Sequence, residues 1–198
     1  MSDFRVIGDI GETLRGLLDD DEKWEGIEKP IVKFIKSPKE ITDESPRIYL
    51  FLYQIVENIF LKNEEMRRID DSHLRHPPMF VDLLFLVVPY TAATDESQQE
   101  KQILGKIMQI FYDNPVLSGG ALRGEGLPGT DEEVRIIFNP LSLDELTKLW
   151  SAFHDISFRI SLSYMVTPVR IDSEREERVK RVVSKKMGHH YMVPEESK

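Results

Sequence analysis

From Phe4 to Leu18 the apolar residues Phe4, Ile7, Ile10, Leu14, Leu17 and Leu18 recur at helical spacing, with Asp9, Glu12 and Arg15 among them. The pattern predicts a helix docked by one face. Gly8, Gly11 and Gly16 each weaken that helix by up to ~1 kcal/mol relative to alanine, so packing must hold it together. The acidic run Asp19 to Asp21 suits a helix C-terminus poorly and reads as a loop. Pro30 to Ile35 alternates as a half-exposed strand does. Arg47 to Val56 is apolar on both faces, Ile48, Leu50 and Leu52 against Tyr49, Phe51 and Tyr53, which predicts a central strand covered on both sides. Met79 to Val88 has the same character. Between them Glu57 to His76 is polar and charged, a loop or extended hairpin arm closed by Pro77-Pro78.

The clearest helix runs from Thr94 to Tyr112, with Asp95 and Gln98 as a capping box, a stripe of Ile103, Leu104, Ile107, Met108, Ile110 and Phe111, and Asn114-Pro115 as its stop. Gly119 to Gly129 is irregular, and Val134 to Phe138 is a short strand. Ser142 and Glu145 form a second capping box, with Leu141 and Leu146 as a hydrophobic staple. Leu143, Leu146, Leu149, Trp150 and Phe153 take the inner side of the helix that follows. Ile156 to Val169 alternates, with Ile156, Phe158, Ile160, Leu162, Tyr164 and Val166 on one face. Ser157, Arg159, Ser161 and Ser163 lie on the other, which predicts an antiparallel or edge strand facing a wetter environment. The expected fold is a mixed α/β (α+β) domain: one mixed or antiparallel sheet of about four to five strands flanked by about three helices, without repeats or regular βαβ alternation.

After Asp172 large apolar residues become rare, which divides the chain into a domain over residues 1–172 and a charged extension over residues 173–198. The whole chain of 198 residues carries a net charge of −9. The extension has seven basic and five acidic residues, +2, which leaves −11 on the rest. So acidic a body argues against nucleic-acid or anionic-membrane binding and is compatible with a protein partner. The extension keeps three readings open: a disordered tail, a segment ordered by a partner, or a nucleic-acid arm. The absence of cysteine removes disulfides, thiol nucleophiles, Fe–S clusters and Cys-ligated zinc. Met1 to Leu18 lacks the pattern of a signal peptide, and the longest apolar run, Leu83 to Val88, is too short to span a bilayer. The expectation is synthesis and assembly in the cytoplasm.

Few residues suggest catalysis. The glycines of Gly119 to Gly129 invite a phosphate loop, but no Lys-Ser/Thr accompanies them and no helix follows directly. A flexible or partner-contacting loop is expected instead. His73 and His76, with Asp70 and Asp71 near, have the spacing of metal ligands on a helical turn, but Arg75 and Pro77 favour an exposed loop. His154 and the pair His189-His190 read as structural and as part of the tail. Asp82 interrupts an apolar strand and is either paired with an arginine or turned to solvent. Asn58 is expected to cap a strand end or make a turn. No nucleophile elbow or zincin motif is present.

The ordered series "IGDIGETLRGLL", "IYLFLYQIVEN", "HPPMFVDLLFLVVPYT", "EKQILGKIMQIFYDNP" and "LSLDELTKLWSAFHDISFRISLSYMVTPVRID" resembles a family of bacterial and archaeal proteins over about residues 1–172. That family contains the tube-terminator or cap proteins of phage-tail-like contractile injection systems of the antifeeding-prophage type. The resemblance implies a subunit that is no enzyme and needs no cofactor. It further implies a homohexameric ring on the distal end of the inner tube, touching the last sheath ring and ending tube and sheath growth, in a particle that is released or membrane-anchored. Nucleic acid and direct membrane insertion have no part in it. Arg67, Arg68, Arg123, Arg159, Arg175, Arg178, Lys180 and Arg181 are candidate assembly contacts, and the extension is a candidate clamp for an acidic neighbour. A baseplate or tube-initiation adaptor of the same machine, and a small-ligand or nucleotide-binding enzyme built on residues 119–129, are the alternative functions.

Overall fold

The computed structural model describes residues 2–34, 46–62, 64–91, 96–153 and 158–179. Helix α1 (Val6–Leu18) leads through a 3-10 turn to strand β1 (Ile31–Phe34). Strand β2 (Arg47–Glu57) follows, then the short β3 (Arg67–Arg68) and β4 (His73–Arg75), then β5 (Met79–Tyr90). Helix α2 (Glu96–Asp113) precedes β6 (Val116–Ser118) and β7 (Glu133–Phe138), and helix α3 (Leu143–Ser151) precedes β8 (Leu162–Ile171) and β9 (Glu176–Arg178). Six strands form a sheet in the order β1-β2-β5-β8-β7-β6, and β3-β4-β9 form a second, small one. The large sheet is mixed, since β1 runs parallel to β2 and the other neighbours are antiparallel.

The alternation along β2, β5 and β8 divides the core in two. Ile48, Leu50, Leu83, Phe85, Val87, Tyr164 and Val166 meet Ile10 and Leu14 of α1 and Ile103, Ile107 and Phe111 of α2 on one face. Tyr49, Leu86 and Val88 meet Trp150 of α3 on the other, with Phe51 and Phe153 at its margin. Three layers result, α1 and α2 above the sheet and α3 below. Helix α3 starts as the sequence predicts: Ser142 Oγ accepts from the Glu145 N–H at 3.3 Å, and the Glu145 carboxylate accepts from the Ser142 N–H at 2.8 Å. Asp95, proposed to cap α2, lies outside the described residues.

Several expectations need correction. The large sheet has six strands rather than about four or five; the β3-β4 hairpin falls in the arm expected between Glu57 and His76, whereas β6 and β9 were not anticipated. The strand expected over Ile156 to Val169 begins only at Leu162, and of the two settings expected for it the antiparallel one is found and the sheet edge is not. As β8 it pairs with β5 from Met79↔Ile171 to Val87↔Leu162 and with β7 from Arg135↔Thr167 to Phe138↔Tyr164. Its polar face does not look out to water. Ser163 is buried in a triad with the Tyr53 hydroxyl (2.9 Å) and the Asn139 amide (3.1 Å), and Ser161 accepts from the Trp150 indole. The true outer strands are β1 and β6. Strand β2 is covered on both sides only in its first half; beyond the register shift at Leu52/Gln54, Ile55 and Val56 are exposed. Phe4 and Leu143, placed on the inner stripes, are exposed as well.

Candidate assembly surface

The glycine-rich segment is built as part of helix α1's environment. Leu122 and Leu127 are buried in the main core, and between them the chain wraps the helix. The buried Asp9 carboxylate accepts the Gly126 N–H at 2.7 Å and the Glu125 N–H at 3.3 Å, while the Arg123 N–H donates to Thr13 Oγ1 at 2.9 Å. Gly124 sits at φ +108°, and a Cβ there would overlap Asp9. The backbone N–H groups that suggested a phosphate loop are thus held by a carboxylate of the same chain. Of the flexible or partner-contacting loop expected here, the stretch from Leu122 to Leu127 is held against α1, whereas residues 119–121 and 128–129 at its two ends are exposed.

Asp82 and Asn58 form one structural unit. The Asn58 amide and the Thr167 hydroxyl donate to the Asp82 carboxylate, and Asn58 Oδ1 accepts from the Phe60 N–H at 3.1 Å to make a turn. The turn expected of Asn58 is present; the arginine partner expected of Asp82 is replaced by these two neutral donors. His73 lies in strand β4, with Asp70 at 2.9 Å from its Nδ1, and His76 faces Glu177 at 3.7 Å. The Ser72 N–H bound to Asp70, helped by His73, holds the Asp70 carboxyl below the usual carboxylate range. No group of three or more His, Asp or Glu among the described residues is placed to hold a metal ion. No helix among them is long and apolar enough to cross a membrane.

The candidate arginines separate into two kinds. Arg67 and Arg68 lie exposed on β3 and Arg178 on β9, so the small sheet brings three of them together, with Arg175 just before β9. This sheet also recruits the start of the extension: β9 pairs with β4, and Arg75 binds Glu176 at 2.8 Å. Beneath it a cleft of about 300 Å³ brings Arg67 and Arg68 near Glu132 and Arg170. Arg170 is held there by Glu132 and Asp172, and Asp172 also accepts from the Ser2 N–H, tying the N-terminus to the end of β8. Arg159 is engaged within the chain, whereas the Arg123 side chain is exposed. Arg123 lies across Gly16 of α1. Arg159 donates to the buried Glu100 at 2.7 Å and stands 4.5 Å over the Tyr90 ring. Lys180 and Arg181 lie outside the described residues.

What the sequence pattern did not single out is apolar surface. After β2 the turn presents Ile59 and Phe60, the latter 90% exposed. At the other flank a groove of about 720 Å³ opens between α2 and β7, rimmed by Met108, Tyr112 and Phe138 and floored by Phe111, Ile136 and Tyr164. Burial raises the Tyr164 hydroxyl above its ordinary pKa. A signal existed in the triplet Ile59-Phe60-Leu61, apolar within a polar segment.

The three-layer α+β fold leaves apolar patches, sheet edges and an arginine-bearing small sheet on its surface. This chain belongs to the Pvc16 N-terminal domain family, whose profile matches residues 9–185. Its fold is similar to that of a PVC sheath/tube terminator from an extracellular contractile injection system in the extended state. That likeness has a TM-score of 0.63 and 20% identity, covering 96% of this chain and 66% of that one. It is also similar to the tube-terminating cap of the anti-feeding prophage, with TM-score 0.61 and 18% identity, covering 93% of this chain and 60% of that one. The chain therefore spans less than two thirds of the length of either protein. No functionally curated protein matches it.

Proposed function

We propose that this chain is the terminator subunit of a contractile injection system: it assembles as a homohexameric ring on the distal end of the inner tube, contacts the last sheath ring and ends the growth of both polymers. The observation that carries this reading is the likeness over 96% of the chain to a sheath/tube terminator, within a family named for the same system. The surface agrees with it, because a ring is built from unlike patches that close on one another, without any pocket of poised acids and bases. The nucleotide-binding alternative loses its support at Asp9, whose carboxylate fills the one anion cradle that the sequence suggested. On this reading the chain acts without cofactor or nucleic acid, and its catalytic residues are none.

The test is polymerisation of purified tube protein with its sheath. Adding the chain is expected to stop elongation at substoichiometric amounts and to leave particles that no longer extend when fresh tube protein is supplied. Particles that continue to lengthen with the chain bound would contradict the proposal.

A further inference from the structure

Two apolar features are left uncovered by the described residues. One is convex: Ile59 and Phe60, 68% and 90% exposed, on a turn that the Asn58 side chain fixes through the Phe60 N–H and Asp82. The other is concave: the groove of about 720 Å³ between α2 and β7, which no described residue fills. The register places them apart. Phe138 of β7 lies level with Tyr164, Phe85 and Leu52, five residues before the end of β2, and β7 is three strand spacings from β2. At ~3.4 Å per residue and ~4.8 Å per strand, the groove is roughly 20 Å from the strand end that carries the turn. A subunit therefore does not seat Phe60 in its own groove.

We infer that Phe60 of one copy of the chain inserts into the groove between Met108 and Phe138 of the next. This rests on the ring reading and names its joint. A projection on one flank and a receptor on the other make a head-to-tail contact, which is the kind that closes into a ring when the rotation per subunit permits. The occupant is a second copy because this chain itself carries an exposed aromatic on a fixed turn that lies roughly 20 Å from its own groove. A buried phenylalanine removes about 150–250 Å² from water, a fifth to a third of the ~800 Å² per partner of a stable interface, so it serves as the anchor and not as the whole contact.

The absence of cysteine makes the joint directly readable. Ile59→Cys and Gln109→Cys flank the anchor and the groove, both on exposed positions, and leave Phe60 and the apolar lining intact. The full-length double variant, alone and on tube ends, is treated with a short bismaleimide. The expected result is a ladder of covalent multimers ending at the mass of the ring, with no product from either single variant. Phe60→Asp, whose exposed site leaves folding unaffected, is expected to weaken self-association by roughly 30-fold, the size of a hot-spot loss. A ring that forms without the 59–109 link, or a maleimide that still labels position 109 fully in the assembled protein, overturns the inference and leaves the terminator reading standing. So does a link between two copies of Ile59→Cys alone. A wild-type chain that forms no oligomer either alone or on tube ends overturns both.

Discussion

At the residue scale, the fold depends on a few polar groups whose partners are fixed. Asp9 is buried and accepts two backbone N–H groups from the segment that wraps α1. Asp9→Ala leaves both donors without a partner, and a cost of about 2 kcal/mol is expected in chemical denaturation. Gly124→Ala is expected to cost at least as much, because it combines a positive φ with overlap onto Asp9. The two changes should be less than additive, since both release the same segment. Arg159 and Glu100 form a second fixed pair, 25% and 11% exposed. Arg159→Ala leaves a carboxylate buried without its cation and is expected to cost on the order of 2–3 kcal/mol, below the ~3–5 of a fully buried pair. If Arg159 were instead an assembly contact, the same variant would keep its stability and lose ring formation.

At the scale of elements, the helices and long strands were legible because each runs long enough to show a period. Val6–Leu18, the first half of Arg47–Glu57 and most of Met79–Tyr90 bury the residues that their spacing selects, and the Ser142/Glu145 box marks the start of α3. Strands of two or three residues, β3, β4, β6 and β9, have no period to read. The misplacement of β8 has a different cause. Its serines mimic a wet edge, but Tyr53 and Asn139 bond Ser163 and the Trp150 indole donates to Ser161, and composition alone does not distinguish solvent from a buried polar network. In the same way Phe4 and Leu143 fit the inner stripes of their helices in the sequence, whereas both lie on the surface.

Two expectations follow for these elements. The position of a Cβ at Gly105 in the exposed face of α2 is open, so Gly105→Ala should gain about 0.5–1 kcal/mol from helix propensity, or about 1–4 °C in Tm. Acid should act on the start of α3. The Ser142 hydroxyl and N–H bound to Glu145 lower its pKa from the ordinary 4.5. A depressed folded-state pKa contributes stability that is full above about pH 4.5 and is lost as pH falls through the folded value. Glu145→Gln keeps a capping side chain without the charge, so its Tm should fall less steeply than that of wild type below pH 4.5. An identical slope would remove Glu145 from the acid response.

At the scale of the whole molecule, the sequence exposed a negative body with a weakly positive extension, and the structure refines that division. Glu176 and Glu177, the acidic start of the extension, pair with Arg75 and His76 of the same chain, so the small sheet consumes them. We propose that the basic residues beyond β9, Lys180, Arg181, Lys185 and Lys186, remain for an acidic neighbour, either the next subunit or sheath. Deleting residues 180–198 should then weaken sheath attachment with a marked salt dependence, since surface charges are screened over ~10 Å at 0.1 M salt. The partners themselves were not readable from periodicity, because an interface uses the same apolar side chains as a core. Tube and sheath are proposed as partners on the resemblance of the ordered series of segments. The most direct test of the central claim is averaged electron cryomicroscopy of purified particles that carry a tag on this chain. The account predicts one six-fold ring of this fold at the tube end distal to the baseplate, capping tube and last sheath ring together. Tagged density at the baseplate, or along the tube, would contradict it.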